Sequence, residues 1–132
     1  MQEDWIEDID SVNNFICKVR RILSADDYVL DLQTTRKDED ALDPFTTQNT
    51  LLSFEFDAED VANELVTLKA SDYCKTAFDI KRPSSPPFWF FEKTIKGKSV
   101  YIKFKIRNEE KLKIFCMSFH FPRWPITNKP YN

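Results

Sequence analysis

The chain predicts an α+β domain in which helices from the front half pack on one face of an antiparallel sheet built by the back half. Apolar residues between positions 4 and 23 recur at steps of three and four, the stripe of an amphipathic helix. Between 88 and 120 they fall instead into strand-length runs separated by turn residues. Lys81 to Pro87, with three prolines and two serines, divides the two regimes and admits no regular structure. A length of 132 residues suits a single domain, 1–132, with one core.

Asp4 to Leu23 carries Trp5, Ile9, Val12, Ile16, Val19 and Leu23 on one helical face. Tyr28 to Leu32 reads as a short strand, and Arg36 to Asp43 as a charged loop stopped by Pro44. A short helix is predicted over Thr47 to Phe54. Asp57, followed by Asp60, supplies an N-cap and an acidic first turn for a helix carrying Val61, Leu65 and Leu68 and running to about Lys69. Beyond the proline loop come three antiparallel strands, Phe88–Ile95, Ser99–Arg107 and Leu112–His120. Gly97, the only glycine, falls in the first turn, where positive φ is most often required. A single glycine also excludes glycine-rich phosphate and dinucleotide loops.

No apolar run approaches the roughly 20 residues that cross a bilayer, and Met1-Gln2-Glu3-Asp4 is acidic where a secretory signal is basic. A soluble, cytoplasmic protein with no membrane partner is expected. Cys17, Cys74 and Cys116 form no CxxC pair and one histidine cannot complete a usual zinc site, so no metal or cofactor is expected and each thiol is read as buried filler.

The net charge of −3 conceals an asymmetry. Residues 1–74 hold 6 basic against 18 acidic residues, a net of −12, and residues 75–132 hold 13 against 4, a net of +9. Either the back half meets an anionic ligand or the two halves attract each other.

The strand Val100 to Arg107 sharpens the question, because Val100, Ile102, Phe104 and Ile106 alternate with Tyr101, Lys103, Lys105 and Arg107. One face is apolar and the other is cationic or phenolic, the groups that grip phosphate. A four-residue hairpin at Asn108-Glu109-Glu110-Lys111 would pair Arg107 with Leu112 and Tyr101 with Ser118. Tyr101, Lys103, Ser118 and His120 then share one face, and Ile102, Phe104, Phe115 and Met117 the other. A one-residue slip reverses this for His120.

Tyrosine, lysine and histidine on one β-face supply the parts for metal-free RNA cleavage, in which the ribose 2′-OH attacks the adjacent phosphate. The reaction needs a base for the 2′-OH, cations for the charge growing on phosphorus and an acid for the leaving oxygen. His120 can move protons, Tyr101 can orient the phosphate, and Lys75, Lys103 or Arg107 can neutralise it. The plainer reading is a solvated strand face ending in a hydrogen-bonded histidine. Phe88-Trp89-Phe90-Phe91 reads as core filler, whereas Trp124, between Pro122 and Pro125, either stacks a base or pins the tail to the sheet.

From Gln48 to Pro125 the chain resembles the MqsR-like toxins of type II toxin–antitoxin systems, within the RelE-type ribonucleases. The likeness runs through Asn49-Thr50-Leu51-Leu52, Leu65 to Leu68, Ser71-Asp72-Tyr73, Gly97, Val100-Tyr101-Ile102-Lys103 and Ser118-Phe119-His120. It implies a RelE/MqsR-like fold and a metal-independent endoribonuclease that cuts mRNA and is neutralised by a cognate antitoxin protein. Lys75, Tyr101 and His120 stand at the family's catalytic positions, with Lys103 one same-face step beyond Tyr101. The chain departs from the family where Trp89 and Phe90 replace a glutamine region and where His120 replaces a lysine. The competing expectation is a non-catalytic module that binds RNA or protein on a toxin-like fold.

Overall fold

The computed structural model describes residues 3–132. Along the chain run β1 (Asp4–Trp5), α1 (Ile9–Leu23), β2 (Val29–Leu32), α2 (Thr47–Phe54) and α3 (Ala58–Val66). A 3₁₀ turn at Ala70–Asp72 leads into β3 (Tyr73–Ala77), followed by β4 (Phe88–Ile95), β5 (Lys98–Asn108) and β6 (Lys113–His120). Among the described residues one six-stranded sheet has the order β1-β3-β4-β5-β6-β2. The α+β class and the three C-terminal strands agree with the sequence; the wholly antiparallel sheet does not. β2 lies parallel to β6, with Leu30 opposite Ile114, so the sheet is mixed.

Helix α1 starts at Ile9 rather than Asp4, because extended Asp8 accepts a hydrogen bond from the Ser11 amide at 2.8 Å and caps it. Trp5 therefore leaves the helical stripe. It pairs with Thr76 in β3 and sets its ring 4.7 Å from that of Phe78. Helix α3 opens on the reciprocal Asp57–Asp60 capping box and ends at Val66, short of Lys69. Leu68 is buried all the same. In the β4–β5 turn both Lys96 (φ 52°) and Gly97 (φ 80°) are left-handed, as a two-residue hairpin loop between twisted strands requires.

All three helices lie on one side of the sheet. Val12, Val19, Val61 and Leu65 meet Phe91, Ile102, Phe104 and Phe119, each fully or almost fully buried. A smaller cluster of Cys74, Phe88, Phe90 and Phe115 occupies the second side, flanked by Tyr101, Met117 and Ile126. The aromatic run of β4 is thus divided by strand alternation, with Trp89 and Phe91 toward the helices and Phe88 and Phe90 away from them. Cys74 and Cys116 are buried, but Cys17 is exposed on α1 and is not core filler.

Much of the charge asymmetry is consumed within the molecule. Asp4 pairs with Lys75 at 3.1 Å, Asp31 with Arg107 at 3.0 Å and Glu64 with Lys93 at 3.0 Å; Asp43 pairs with Arg123. Each joins an acid of the front half to a base of the back half. Among the described residues no helix is long and apolar enough to cross a membrane.

Candidate active site

The β5–β6 hairpin sets the site. Its turn closes with Asn108 opposite Lys113 and Leu112 in the left-handed region, so the register is displaced from the predicted one. Tyr101 stands opposite His120 and Lys103 opposite Ser118. The displacement is by two residues, an even step, so these four side chains keep the common face that the sequence assigned them. Between Lys103 and Phe104 the ladder skips Met117, a bulge that reverses the alternation of β6 below it. Cys116 and Ile114 turn toward the helices, and Phe115 and Met117 join Tyr101 on the second side. The predicted grouping of Phe115 and Met117 with Ile102 and Phe104 is therefore corrected.

A cleft of about 380 Å³ opens on this face, lined by Tyr101, Lys103, Ser118 and His120, by Arg36, and by the tail from Pro122 to Ile126. Trp124, 77% exposed, stands at its margin. The imidazole of His120 lies 5.2 Å from the Tyr101 ring, centroid to centroid. Its Nδ1 is 3.0 Å from the Phe121 carbonyl. A carbonyl only accepts, so Nδ1 carries the proton and Nε2 keeps a free lone pair. Burial, reinforced by repulsion from Arg36 and Arg123, holds the imidazole below its ordinary 6.5 against the opposing pull of the Phe121 carbonyl. It is neutral at pH 7.

Burial pushes the Tyr101 phenol up to about 12, which keeps it a hydrogen-bond donor at physiological pH. Lys103 lies over the rings of Phe88 and Phe90, at 4.7 and 5.2 Å. Its burial and the nearby Arg36 guanidinium lower its pKa from 10.5, making the ammonium a readier acid.

The remaining expected site residues fall elsewhere. Lys75 sits over Phe90 at 4.9 Å, bound to Asp4, and lines an adjoining depression that shares Tyr101 with the main cleft. Arg107 is outside it, six residues or about 20 Å along β5 from Tyr101. There it stacks on Phe115 at 4.2 Å and pairs with Asp31.

Arg36 is the functional residue that the sequence did not single out. Its guanidinium donates to Ser118 Oγ, and to the Met117 carbonyl at 3.1 Å. It reaches them because the β2–β6 pairing carries on to a Gln33 amide bond with the Cys116 carbonyl, laying the following loop beside the bulge. No carboxylate lies within 4.0 Å of the Arg36 guanidinium or the Lys103 ammonium among the described residues. Nor is any group of three or more His, Cys, Asp or Glu placed to hold a metal among them. A neutral imidazole, a phenol, a hydroxyl and two cations without acidic partners suit a phosphodiester. No protein-family model, curated protein or solved structure matches the chain.

Proposed function

We propose that the His120 cleft is the active site of a metal-independent endoribonuclease, a toxin of the MqsR-like, RelE-type kind acting on mRNA in the cytoplasm and restrained by an antitoxin protein. The observation that carries this reading is the convergence of His120, Tyr101, Lys103 and Arg36 on one cleft, with His120 Nε2 free to accept a proton. A sheet with helices on one side and this cleft on the other is compatible with a RelE/MqsR-like fold.

In the reaction, His120 Nε2 removes the 2′-OH proton as the 2′-oxygen bonds to phosphorus. Arg36, Lys103 and the Tyr101 hydroxyl stabilise the charge developing on the phosphoryl oxygens. The bond from phosphorus to the 5′-oxygen breaks, and the Lys103 ammonium protonates the departing oxygen. The products carry a 2′,3′-cyclic phosphate and a 5′-hydroxyl. Lys75, Ser118 and Trp124 contribute to holding the strand, Ser118 through Arg36.

A second reading, a binding module without chemistry, is favoured by the ion pairs that already neutralise Lys75 and Arg107. Incubating the purified protein with labelled RNA in EDTA and mapping the product ends separates the two. The enzyme gives cyclic-phosphate ends, and His120→Ala lowers the rate about a hundredfold to ten-thousandfold with the fold intact. Because the base must be unprotonated, kcat/KM rises with pH through the His120 pKa, which lies below the ordinary 6.5. Binding without cuts establishes the module.

A further inference from the structure

Beside the His120 cleft, on the same side of the sheet, lies a larger depression of about 520 Å³ between the segment Gln33–Lys37 and the loop Phe78–Lys81. The two share Arg36 and Lys103 as a common wall. We infer that this depression is a second nucleotide subsite, which takes an unpaired base of a single-stranded RNA whose neighbouring phosphate lies between Arg36 and Lys103. The inference rests on the reading of the His120 cleft as an RNA site and extends the bound strand beyond it.

Charge is the first support. Arg36, Lys37, Lys81 and Lys103 line the depression, and none of their charged groups has a carboxylate within 4.0 Å among the described residues, although the Arg36 and Lys81 backbone amides donate to Glu39 and Asp79. The one carboxylate there, Asp79, is taken by Lys105 at 2.8 Å. Elsewhere on this side of the sheet Lys75, Lys105 and Arg107 each have an acidic partner. The unneutralised cations are therefore gathered where the two clefts meet, the footprint that a polyanion requires.

The second support is apolar. Phe88 and Met117 floor the depression, while Phe78 and Ile80 stand in its wall 46% and 70% exposed. Large apolar side chains open to water among cations match a base whose flat face is bare, and a duplex conceals that face. The volume lies within the range of small-ligand sites.

The test measures binding without cleavage. A fluorescein-labelled eight-nucleotide RNA of mixed sequence, 2′-O-methylated throughout so that it cannot be cut, is titrated with the full chain and followed by anisotropy. Ile80→Asp with Lys81→Glu, both exposed positions, is expected to weaken binding about tenfold or more, because a carboxylate replaces the apolar wall and a cation becomes an anion. Lys113→Glu, outside the depression, is expected to bind as the wild type does, and thermal melts check that each variant folds.

Equal affinities in wild type and double variant overturn the inference, as does a wild-type protein that binds no RNA. So does an acidic octapeptide that binds more tightly than the RNA and loses affinity in the same variant. A chain that cuts no RNA but loses octamer affinity in the double variant keeps the subsite and removes the catalytic reading.

Discussion

The two sides of the sheet solve the same problem, covering aromatic side chains, by different means. On one side three helices enclose Phe91, Phe104 and Phe119 at 0% exposure. On the other there is no helix among the described residues, and Phe88, Phe90 and Phe115 are still only 2%, 6% and 9% exposed. They lie under the stems of Lys75, Lys103, Lys105 and Arg107, whose charged heads stand 4.2–5.2 Å from the ring centres, and beside Ile126 of the tail. A cation on this side is thus a lid over the rings before it is a ligand for anything. Which cations remain available is decided by whether an acid already holds them.

Truncating one ring on each side breaks or sharpens this contrast most strongly. Phe104→Ala, deep under the helices, is expected to cost about 4 kcal/mol, because rigid neighbours cannot close the cavity. Phe90→Ala should cost nearer 2 kcal/mol, since the flexible stems and tail can settle into the space. Denaturant melts give both values. Equal losses would mean that the side-chain cover is as rigid as the helices.

The next largest effect concerns the most enclosed ion pair. Lys105 is 3% exposed, and its ammonium meets Asp79 at 2.8 Å and Ser85 Oγ at 3.0 Å. Asp79→Asn leaves that charge without an anionic partner and is expected to destabilise by about 3 kcal/mol, whereas Lys105→Met, which removes the buried charge itself, should change stability by only about 1 kcal/mol. The Lys105 hydrogen bond holds the Asp79 carboxyl below its usual 3.8. The unfolded chain therefore takes up this proton first on acidification. The stabilisation is complete above about pH 4 and is lost as pH falls through the folded pKa. Acid titration of wild type and Asp79→Asn should show the variant without this segment of the curve.

What the sequence disclosed follows the range of the forces involved. The α2 helix, the three C-terminal strands and the turn at Gly97 rest on local periodicity and backbone sterics, and they stand where the pattern puts them. β1 has two residues and β3 five, too few for alternation to declare itself, and the β2–β6 pairing joins segments some 80 residues apart. The shared face of Tyr101, Lys103, Ser118 and His120 was legible because strand parity survives an even displacement. The bulge at Met117, which moved Phe115 across the sheet, was not. Arg36 was hidden for the same reason as the pairing of β2, a strand the sequence does show, with β6: a charged loop gives no sign of the strand beside which it will lie.

The smallest predicted effect tests the sorting of cations directly. Arg107 and Lys103 lie on one strand and cover rings of the same cluster, and sequence alone gives them the same role. Arg107 is bound to Asp31, with both side chains substantially exposed, 39% and 58%. Such a pair contributes at most about 0.5 kcal/mol, so Arg107→Gln should barely alter the melt. Its effect on binding of the methylated octamer should be less than about twofold, because the charge it loses was already offset by Asp31. Lys103→Gln removes a cation that has no ion-pair partner, with Asp79 acting on it only at longer range, at the junction of both clefts, and should weaken the same binding about tenfold. Comparable losses in the two variants would show that Asp31 releases Arg107 to the ligand, and would extend the RNA path along the whole of β5.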